Sequence, residues 1–522
     1  MPKKTGIYIH IPFCVKKCNY CAFLSFDAEG SPREEYTDAL CKEIKLRAEA
    51  MKNGDVGKTS ENKLSIDTVY IGGGTPSVLD VSQMRDIMHT VKTSFDIKPD
   101  AEITIEVNPG TLGVKDGVTK AKLAAYKSMG FNRLSMGVQS MDNDTLRFLG
   151  RIHTAENIAR DVRLIREAGF DNLNLDLIFS IPFAGTQKNA EESERLDNSV
   201  CTEEKNAIKT DPSERAIDDA RETHTHERAL DDAKKKNTLE RALADARKIV
   251  ALEPEHISCY SLQIEEGTPF AEMTERGEIT EIPDEEDRET YHAICKLLKD
   301  AGYEHYEISN FAKMPDGIKA PGFENCRDGH RHEKDETFSD YRSSHNSLYW
   351  DMSDYIGVGL GASGFVNGVR YKNVSDLDKY IETYSSYDID HADAAVSKTV
   401  GVNEIKPTDA SEDCAGCFEF PHEEEHVNTS FDNISEAVFT GVRRREGISY
   451  EDAIAVYERC SVIANEGMTH SSAKEKFWDI FGEVADEAGN FEEQGLLIID
   501  DEGLRLTERG IDISNGIMAL FV

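Results

Sequence analysis

The stretch Gly6-Ile-Tyr8-Ile-His-Ile-Pro-Phe-Cys14-Val-Lys-Lys-Cys18-Asn-Tyr-Cys21 places three cysteines directly after a short apolar segment. Residues 6–13 alternate large apolar and other side chains, which is typical of a β-strand. The cysteines are therefore expected on the loop that leaves the first strand, where α/β barrels carry their chemistry. The C-x3-C-x2-C spacing supplies three thiolates from one loop. Because a cubic iron–sulfur cluster usually takes four, one iron would stay open for another ligand.

Two other interpretations of the triplet remain open, a zinc site and a set of unrelated buried thiols. Structural zinc takes four ligands, usually as two pairs of cysteine or histidine. No second pair follows near Cys14, Cys18 and Cys21. On spacing alone, the cluster is the favoured interpretation.

Short apolar strands alternate with helical stretches over the first three quarters of the chain. The patterns predict strands over residues 7–13, 68–72, 102–107, 133–138, 172–179, 256–263 and 304–309, and helices over residues 34–50, 119–129, 154–168, 238–252 and 288–301. Gly130, Gly169 and Gly302 each end a predicted helix just before a strand, as left-handed C-caps do. Repeated helix–glycine–strand units predict an α/β fold with parallel strands, as a barrel or an open sheet.

Other stretches interrupt this alternation. Residues 187–236 and 313–344 are charged or polar and are predicted to be insertions in a core of residues 1–386. Residues 387–429 are acidic and are interpreted as a linker or excursion. Residues 430–522 predict helices, a β-hairpin turning at residues 501–503 and a helix capped by Thr507, which together describe a winged-helix-like α+β domain.

Composition excludes several classes of partner. The chain has 522 residues and a net charge of −38, which disfavours nucleic acid and anionic membranes because both require a basic surface. No apolar run approaches the length of a transmembrane segment, and no signal peptide is recognisable. A cytoplasmic location is therefore predicted, where the 11 cysteines are better interpreted as ligands or buried thiols than as disulfides.

Several motifs lie at the ends of the predicted strands. Gly72-Gly-Gly-Thr75-Pro comes after the second strand, where glycines free backbone groups to contact a ligand. Glu106, Gln139 and Asp176 each put a polar side chain near the end of an apolar strand. Because burying such groups without a partner is costly, a polar ligand explains them economically. Arg151 adds a cation that can pair with a carboxylate.

Together these motifs resemble those of radical S-adenosylmethionine (SAM) proteins, and within them the oxygen-independent coproporphyrinogen III oxidase group. The resemblance rests on the cysteine loop, Gly-Gly-Gly-Thr-Pro, Ile105-Glu-Val-Asn-Pro, Gly137-Val-Gln-Ser and Leu175-Asp-Leu-Ile, which occur in that order. It implies a partial (β/α)6 barrel of the TIM type and a [4Fe–4S] cluster on Cys14, Cys18 and Cys21, whose open iron binds SAM. The residues at the SAM-contacting positions are Tyr8, Tyr20, Gly74, Thr75, Glu106, Gln139, Arg151 and Asp176.

Two departures point to a branch of this group. The oxidases carry a further cysteine after the triplet, where this chain has Phe23, and they have a longer segment before the cluster loop. Both favour the sister branch of heme chaperones. His345-Asn-Ser-Leu-Tyr349 matches that branch's H-N-x-x-Y heme motif, so His345 and Tyr349 are predicted to contact heme.

The resemblance implies a protein that binds a [4Fe–4S] cluster, SAM and heme and delivers heme to acceptor proteins. The alternative is an enzyme, the coproporphyrinogen oxidase itself, an oxidoreductase that decarboxylates two propionates. A tRNA-modifying radical SAM enzyme is a third option that conflicts with the acidic surface. Catalytic residues are not identified, a homodimer is compatible with the sequence, and Cys414 and Cys417 are more simply incidental thiols than a metal site.

Overall fold

The computed structural model describes residues 4–52, 63–182, 238–315, 341–386, 420–459 and 472–522. Most of both predicted charged insertions, residues 387–419 of the predicted linker, and Cys414 and Cys417 lie outside these ranges. The domain boundaries remain predictions.

A twelve-stranded sheet forms the larger part of the described chain. Six parallel strands follow one another across its centre in sequence order. They are β1 (Thr5–Ile11), β2 (Ser65–Gly73), β3 (Asp96–Val107), β4 (Arg133–Gln139), β5 (Leu173–Phe179) and β6 (His256–Ser261). These strands confirm the predicted TIM-like partial barrel.

Helices connect the strands of the barrel. They are α1 (Arg33–Lys52), α2 (Val81–Ser94), α3 (Asp116–Met129), α4 (Asn143–Phe148), α5 (Ala155–Glu167), α6 (residues 238–250), α7 (Pro269–Glu275) and α8 (Asp284–Asp300). Gly130 ends α3 with φ 98°, and its N–H donates to the carbonyls of Tyr126 and Lys127. This left-handed cap is the one that the helix–glycine–strand pattern predicts.

The third helix–glycine–strand unit differs from the other two. Gly302 leads into β7 (Tyr303–Glu307), but β7 does not pair with β6. The strand β8 (Asn310–Lys313) lies between them and is antiparallel to both. The expectation of a parallel neighbour is therefore wrong for this strand, because a tight hairpin turns the chain back before the ladder with β6 forms.

On its other edge, the sheet continues beyond β1. The strand β9 (Asp354–Val358) pairs parallel with β1, followed by antiparallel β10 (Ser363–Val366), β11 (Val369–Asn373) and β12 (His422–Val427). The strand β12 lies in the segment interpreted as an acidic linker. Between β8 and β12 the chain forms α9 (Ser344–Trp350) and α10 (Leu377–Ser385).

A buried network fixes the β10–β11 hairpin to the barrel. Arg47 and Glu43 of α1 form a fully buried ion pair of 2.9 Å. The Asn373 side chain of β11 accepts from Arg47 at 2.7 Å and donates to Glu43 at 2.8 Å. Because removing one partner would leave a buried charge uncompensated, single substitutions in this network are expected to be strongly destabilising.

The C-terminal part packs on the same continuous hydrophobic core as the barrel. It contains α11 (Ser430–Gly441), β13 (Ile448–Ser449), α12 (Tyr450–Glu458), α13 (Ala473–Ile480), α14 (Ala485–Glu493), β14 (Leu497–Ile499), β15 (Gly503–Leu506), α15 (Glu508–Ile511) and α16 (Ser514–Met518). The predicted hairpin is present as β14–β15, and β13 adds a third strand. Thr507 caps α15 as predicted, accepting from Gly510 N at 2.9 Å.

None of the helices in the described part of the chain combines the length and the apolar character that crossing a membrane requires.

Candidate functional site

The inner face of the barrel carries polar and aromatic side chains because each strand alternates. In β1, Ile7, Ile9 and Ile11 are fully buried on one face, so Tyr8 and His10 project from the other. Tyr8 pairs in register with Tyr70 of β2, and their rings stack with centroids 6.2 Å apart. The Tyr70 hydroxyl in turn donates to Glu106 of β3 at 2.7 Å. Tyr8, Tyr70 and Glu106 therefore form one continuous polar surface across three strands.

The three cysteines lie on the loop after β1, above this surface. Each is half-buried and free of disulfides. The Cys14 thiol is 3.5 Å from the Thr75 hydroxyl, and Arg151 Nη1 is 3.4 Å from the Cys18 thiol. Burial raises the pKa of Cys14 and of Cys21. Without a ligand these groups are therefore thiols, and cluster binding has to displace their protons.

The two metal interpretations make different demands on the three thiols. Among the described residues, no group of three or more His, Cys, Asp or Glu side chains is placed so that it could hold one metal ion. A zinc ion would need its ligands within about 2.0–2.3 Å of a single point. A cubic cluster is less demanding, since each thiolate binds its own iron. The loop is therefore compatible with a cluster on Cys14, Cys18 and Cys21, and this ligand assignment remains a prediction.

The glycines at the end of β2 and just after it are closely packed. A Cβ on Gly72 would lie 2.9 Å from the Glu106 carboxylate, and one on Gly74 would lie 2.7 Å from the Phe13 carbonyl. Gly74 and Thr75 donate backbone hydrogen bonds to the carbonyls of Ile11 and Phe13 at 2.9 and 2.7 Å. The glycine segment therefore joins the cysteine loop to the polar surface with no space for side chains.

Glu106 is the carboxylate at the centre of this surface. It accepts from the Tyr70 hydroxyl and, at 3.0 Å, from the Gly73 N–H. Burial raises its pKa to about 7, an effect that the Tyr70 hydrogen bond partly opposes and that nearby Asp176 reinforces. Burial likewise raises the pKa of Asp176 to about 6, against the hydrogen bond from Asn174. Two carboxyl groups whose pKa values are raised in one lumen indicate a site for a cationic or amino-bearing ligand.

The raised pKa of Glu106 predicts a pH-dependent stability. Since its folded-state pKa of about 7 exceeds the ordinary 4.5, its contribution is fully present below about pH 4.5 and is lost as the pH rises through 7. In the unaltered protein, the free energy of unfolding should fall between about pH 5 and pH 8. The glutamine of Glu106→Gln does not titrate, so we expect this fall to be about 2 kcal/mol smaller in the variant. Denaturant titrations without SAM measure this, with exposed Glu35→Gln as the control. An unchanged pH dependence in Glu106→Gln would contradict the assignment.

Arg151 is a half-buried cation that bonds an asparagine, a backbone carbonyl and a cysteine. Its Nη2 donates to Asn108 Oδ1 at 2.6 Å and to the Gly137 carbonyl, and Nη1 reaches the Cys18 thiol. Its Nε is buried and has no hydrogen-bond partner among the described residues. A buried, unsatisfied donor on a guanidinium points to an anionic group that the ligand would bring. A SAM carboxylate fits this requirement.

Asn108 connects these groups and was missed in the sequence. Its Nδ2 donates to Thr75 Oγ1 at 2.8 Å while its Oδ1 accepts from Arg151. One side chain therefore links Thr75 of the glycine segment to the Arg151 cation, and each of these two residues contacts a cysteine of the loop. Its position two residues after Glu106 was the available signal, because alternate strand residues share a face. Tyr70, two residues before Gly72, was missed in the same way.

The remaining predicted SAM residues surround the same lumen. Gln139 ends β4 with φ 69°, a left-handed backbone that costs a glutamine roughly 1–3 kcal/mol and is typical of functional positions. Asp176 pairs with Gly137 on the neighbouring strand. Tyr20 packs beside the small apolar cluster of Leu149, Phe270 and Ile279, and burial raises its pKa.

His345 lies deep in the protein, away from the cysteine loop. It is 1% exposed, its Nδ1 is 2.7 Å from Thr68 Oγ1, and its Nε2 is 2.9 Å from the Tyr349 hydroxyl. Its ring stacks on Tyr70 with centroids 5.1 Å apart. Burial lowers its pKa to about 3, so the imidazole is neutral. Both ring nitrogens are engaged, which the sequence motif did not reveal.

Glu102 holds the helix that carries this histidine. Its carboxylate accepts from the backbone N–H groups of Ser344 and His345 at 3.1 and 3.0 Å. Glu102 and Thr68 lie near the start of the parallel ladder, where β2 and β3 pair in register. The histidine is therefore attached to the barrel strands at two points.

The partial parallel barrel, the cysteine loop over its mouth and the glycine-rich exit of β2 define the class of radical SAM proteins. A family model described as the radical SAM superfamily matches residues 8–185, and one described as the HemN C-terminal domain matches residues 462–513. The solved structure of the coproporphyrinogen III oxidase HemN from Escherichia coli covers the whole chain at a TM-score of 0.64, with 19% identity and 90% of that chain covered. This likeness concerns the fold.

Similar proteins of known family identify the family of this chain within the radical SAM class. The heme chaperone HemW of Escherichia coli K12 is 30% identical over 363 residues, covering 69% of this chain and 70% of that protein. HemW of Lactococcus lactis is 26% identical over 522 residues, covering 100% of this chain and 98% of that protein. The chain belongs to the HemW family.

Proposed function

We propose that this protein is a heme chaperone that binds a [4Fe–4S] cluster, SAM and heme and passes heme to acceptor proteins. The observation that carries the proposal is the similarity to curated proteins named heme chaperones, which extends over the full chain. The oxidase alternative has the likeness of fold to HemN. Phe23, at the position where the oxidases have a cysteine, speaks against it.

In this proposal, Cys14, Cys18 and Cys21 hold the cluster. When bound, the cluster supplies an open iron for the amino and carboxylate groups of SAM and an electron for its cleavage. Arg151 pairs with the carboxylate through its unsatisfied guanidinium face, and Thr75 and Asn108 keep that guanidinium in place. Gly74 presents backbone to the ligand.

The other SAM residues act from the lumen. Glu106 and Asp176 supply the negative side of the site. Tyr8, Tyr20 and Gln139 complete its walls. For heme, we propose a site at Tyr349, whose hydroxyl is hydrogen-bonded to His345. The acceptor protein, the cytoplasmic location, the absence of nucleic-acid partners and a homodimer remain predictions.

One anaerobic experiment tests the function against the oxidase alternative. The cluster is reconstituted, SAM, reductant and coproporphyrinogen III are added, and porphyrin masses are followed by chromatography. SAM binding is measured in the same sample, and a separate aliquot is titrated with heme. We expect about one heme per chain and no loss of carboxyl groups.

Loss of two carboxyl groups would make the protein an oxidase. Absence of heme binding, with SAM bound, would overturn the chaperone function.

A further inference from the structure

A cavity of about 580 Å³ opens between the cysteine loop and the β10–β11 hairpin. We call it the hairpin cavity. Its volume lies within the range of about 300–1,000 Å³ that small-molecule sites usually have. The residues that line it include Tyr8, Phe23, Tyr349, Tyr355, Ser363 and Lys372.

The walls of the hairpin cavity are aromatic. Tyr349 and Tyr355 meet edge to face with ring centroids 4.6 Å apart. Phe23 is 70% exposed, and it lines the cavity two residues after the proposed cluster ligand Cys21. Aromatic side chains gain most by packing against another flat apolar surface. These walls therefore favour a planar, largely apolar occupant.

A cation lies at the rim. Lys372 of β11 pairs in register with Ser363 of β10, so both line the cavity from the hairpin. Its Nζ is 3.6 Å from Glu423 and 3.6 Å from Glu424, and all three side chains are more than a third exposed. Such long, solvated ion pairs contribute little, so an anionic group on a ligand can displace them.

The two predicted heme residues differ in their access to this space. Tyr349 lines the cavity, whereas His345 lies behind it with both ring nitrogens engaged. The histidine is positioned to orient the Tyr349 hydroxyl and does not line the cavity itself.

The SAM residues lie elsewhere. Glu106, Arg151 and Asp176 do not line the hairpin cavity, and only Tyr8 borders both regions. The two ligands therefore have room for separate sites on one barrel.

We propose that heme binds in the hairpin cavity, with Phe23 and Tyr355 against the macrocycle, Lys372 paired with a propionate and Tyr349 facing the iron. His345 is then a positioning residue that holds Tyr349. This inference rests on the proposed function and assigns its heme site.

The first test fills the cavity. In Ser363→Phe, a ring occupies the space from a strand position that tolerates aromatics. We expect the affinity of the full-length protein for ferric heme to fall at least tenfold while SAM binding stays within twofold. Unchanged heme affinity would overturn the site, and the proposed function would stand if the unaltered protein still bound heme.

The second test uses charge. We expect Lys372→Glu to weaken heme binding roughly two- to fivefold, as expected for an ion pair at a partly exposed site. Binding of heme dimethyl ester, which lacks the carboxylates, should not change. Lys379→Glu, an exposed position on α10, alters the net charge equally and is the matched control. The propionate contact would be contradicted if Lys372→Glu weakened the binding of heme and of its dimethyl ester equally. It would also be contradicted if Lys379→Glu weakened heme binding as much as Lys372→Glu.

The third test separates Tyr349 from His345 by spectroscopy. We expect Tyr349→Phe to change the absorption and electron paramagnetic resonance spectra of the bound ferric heme. In His345→Gln, which keeps a hydrogen-bonding group, we expect weaker binding with the spectral type retained. The reverse pattern would make His345 the ligand and overturn its positioning role. If the unaltered protein binds no heme, both the site and the proposed function fail. The other outcomes test the site alone.

Discussion

Replacing Cys14, Cys18 or Cys21 singly by alanine is expected to lower the iron and sulfide content from about four each per chain to near zero after anaerobic reconstitution. Each of the three thiols would bind its own iron, so losing one leaves an iron of the cluster without its protein ligand. The brown visible absorption should disappear with the iron.

Cys41 provides the matched control for this experiment. It is a half-buried free thiol on α1, outside the loop, so Cys41→Ala removes one sulfur without touching the proposed ligands. We expect it to retain its iron and colour. Full iron and sulfide in any of the three loop variants would refute the ligand assignment.

Arg151→Met is expected to weaken SAM binding roughly 30- to 100-fold. The substitution keeps the length of the side chain but removes the guanidinium, including the Nε donor that has no partner among the described residues. A hydrogen bond to a charged group is worth about 1.5–3 kcal/mol, and about 1.4 kcal/mol corresponds to a factor of ten. Calorimetry on the cluster-loaded protein measures the change.

Arg147→Met is the control for Arg151→Met. Arg147 lies four residues earlier, on α4, is 67% exposed and pairs with Asp144 at the surface. Its loss should leave SAM affinity within a factor of two, because exposed ion pairs contribute little. The role of Arg151 would be disproved by equal SAM affinities in the two variants. Iron content, measured alongside, separates loss of SAM binding from loss of the cluster through the contact with Cys18.

The contrast between Gly130 and Gly302 shows how far local patterns reach. The sequence around each glycine predicts a helix end, and both glycines adopt the positive φ of a left-handed cap. The next strands differ in their pairing, since the strand after Gly130 joins the parallel ladder and the strand after Gly302 pairs with β8. A cap depends on a few adjacent residues, whereas strand order depends on competition between distant segments.

The candidate site divides in the same way. The cysteine spacing, the glycine segment and the polar strand ends were visible because they are short and contiguous. The role of Asn108 depends on residues 33 and 43 positions away in the chain. Its neighbour Glu106 was found because a carboxylate in an apolar strand is conspicuous, while an asparagine before a proline is also common in turns.

The amino-acid sequence alone determined the alternation of strands and helices, the caps, the cysteine loop and the family. These features depend on periodicity, backbone preference and contiguous motifs, which involve neighbours along the chain. The tertiary structure was needed to show that His345 is enclosed, through a contact with Thr68 across 277 residues, and that Tyr349 lines the cavity instead. Burial and hydrogen-bond pairing are properties of the packed state, so no local pattern could assign them to one residue of the motif rather than the other.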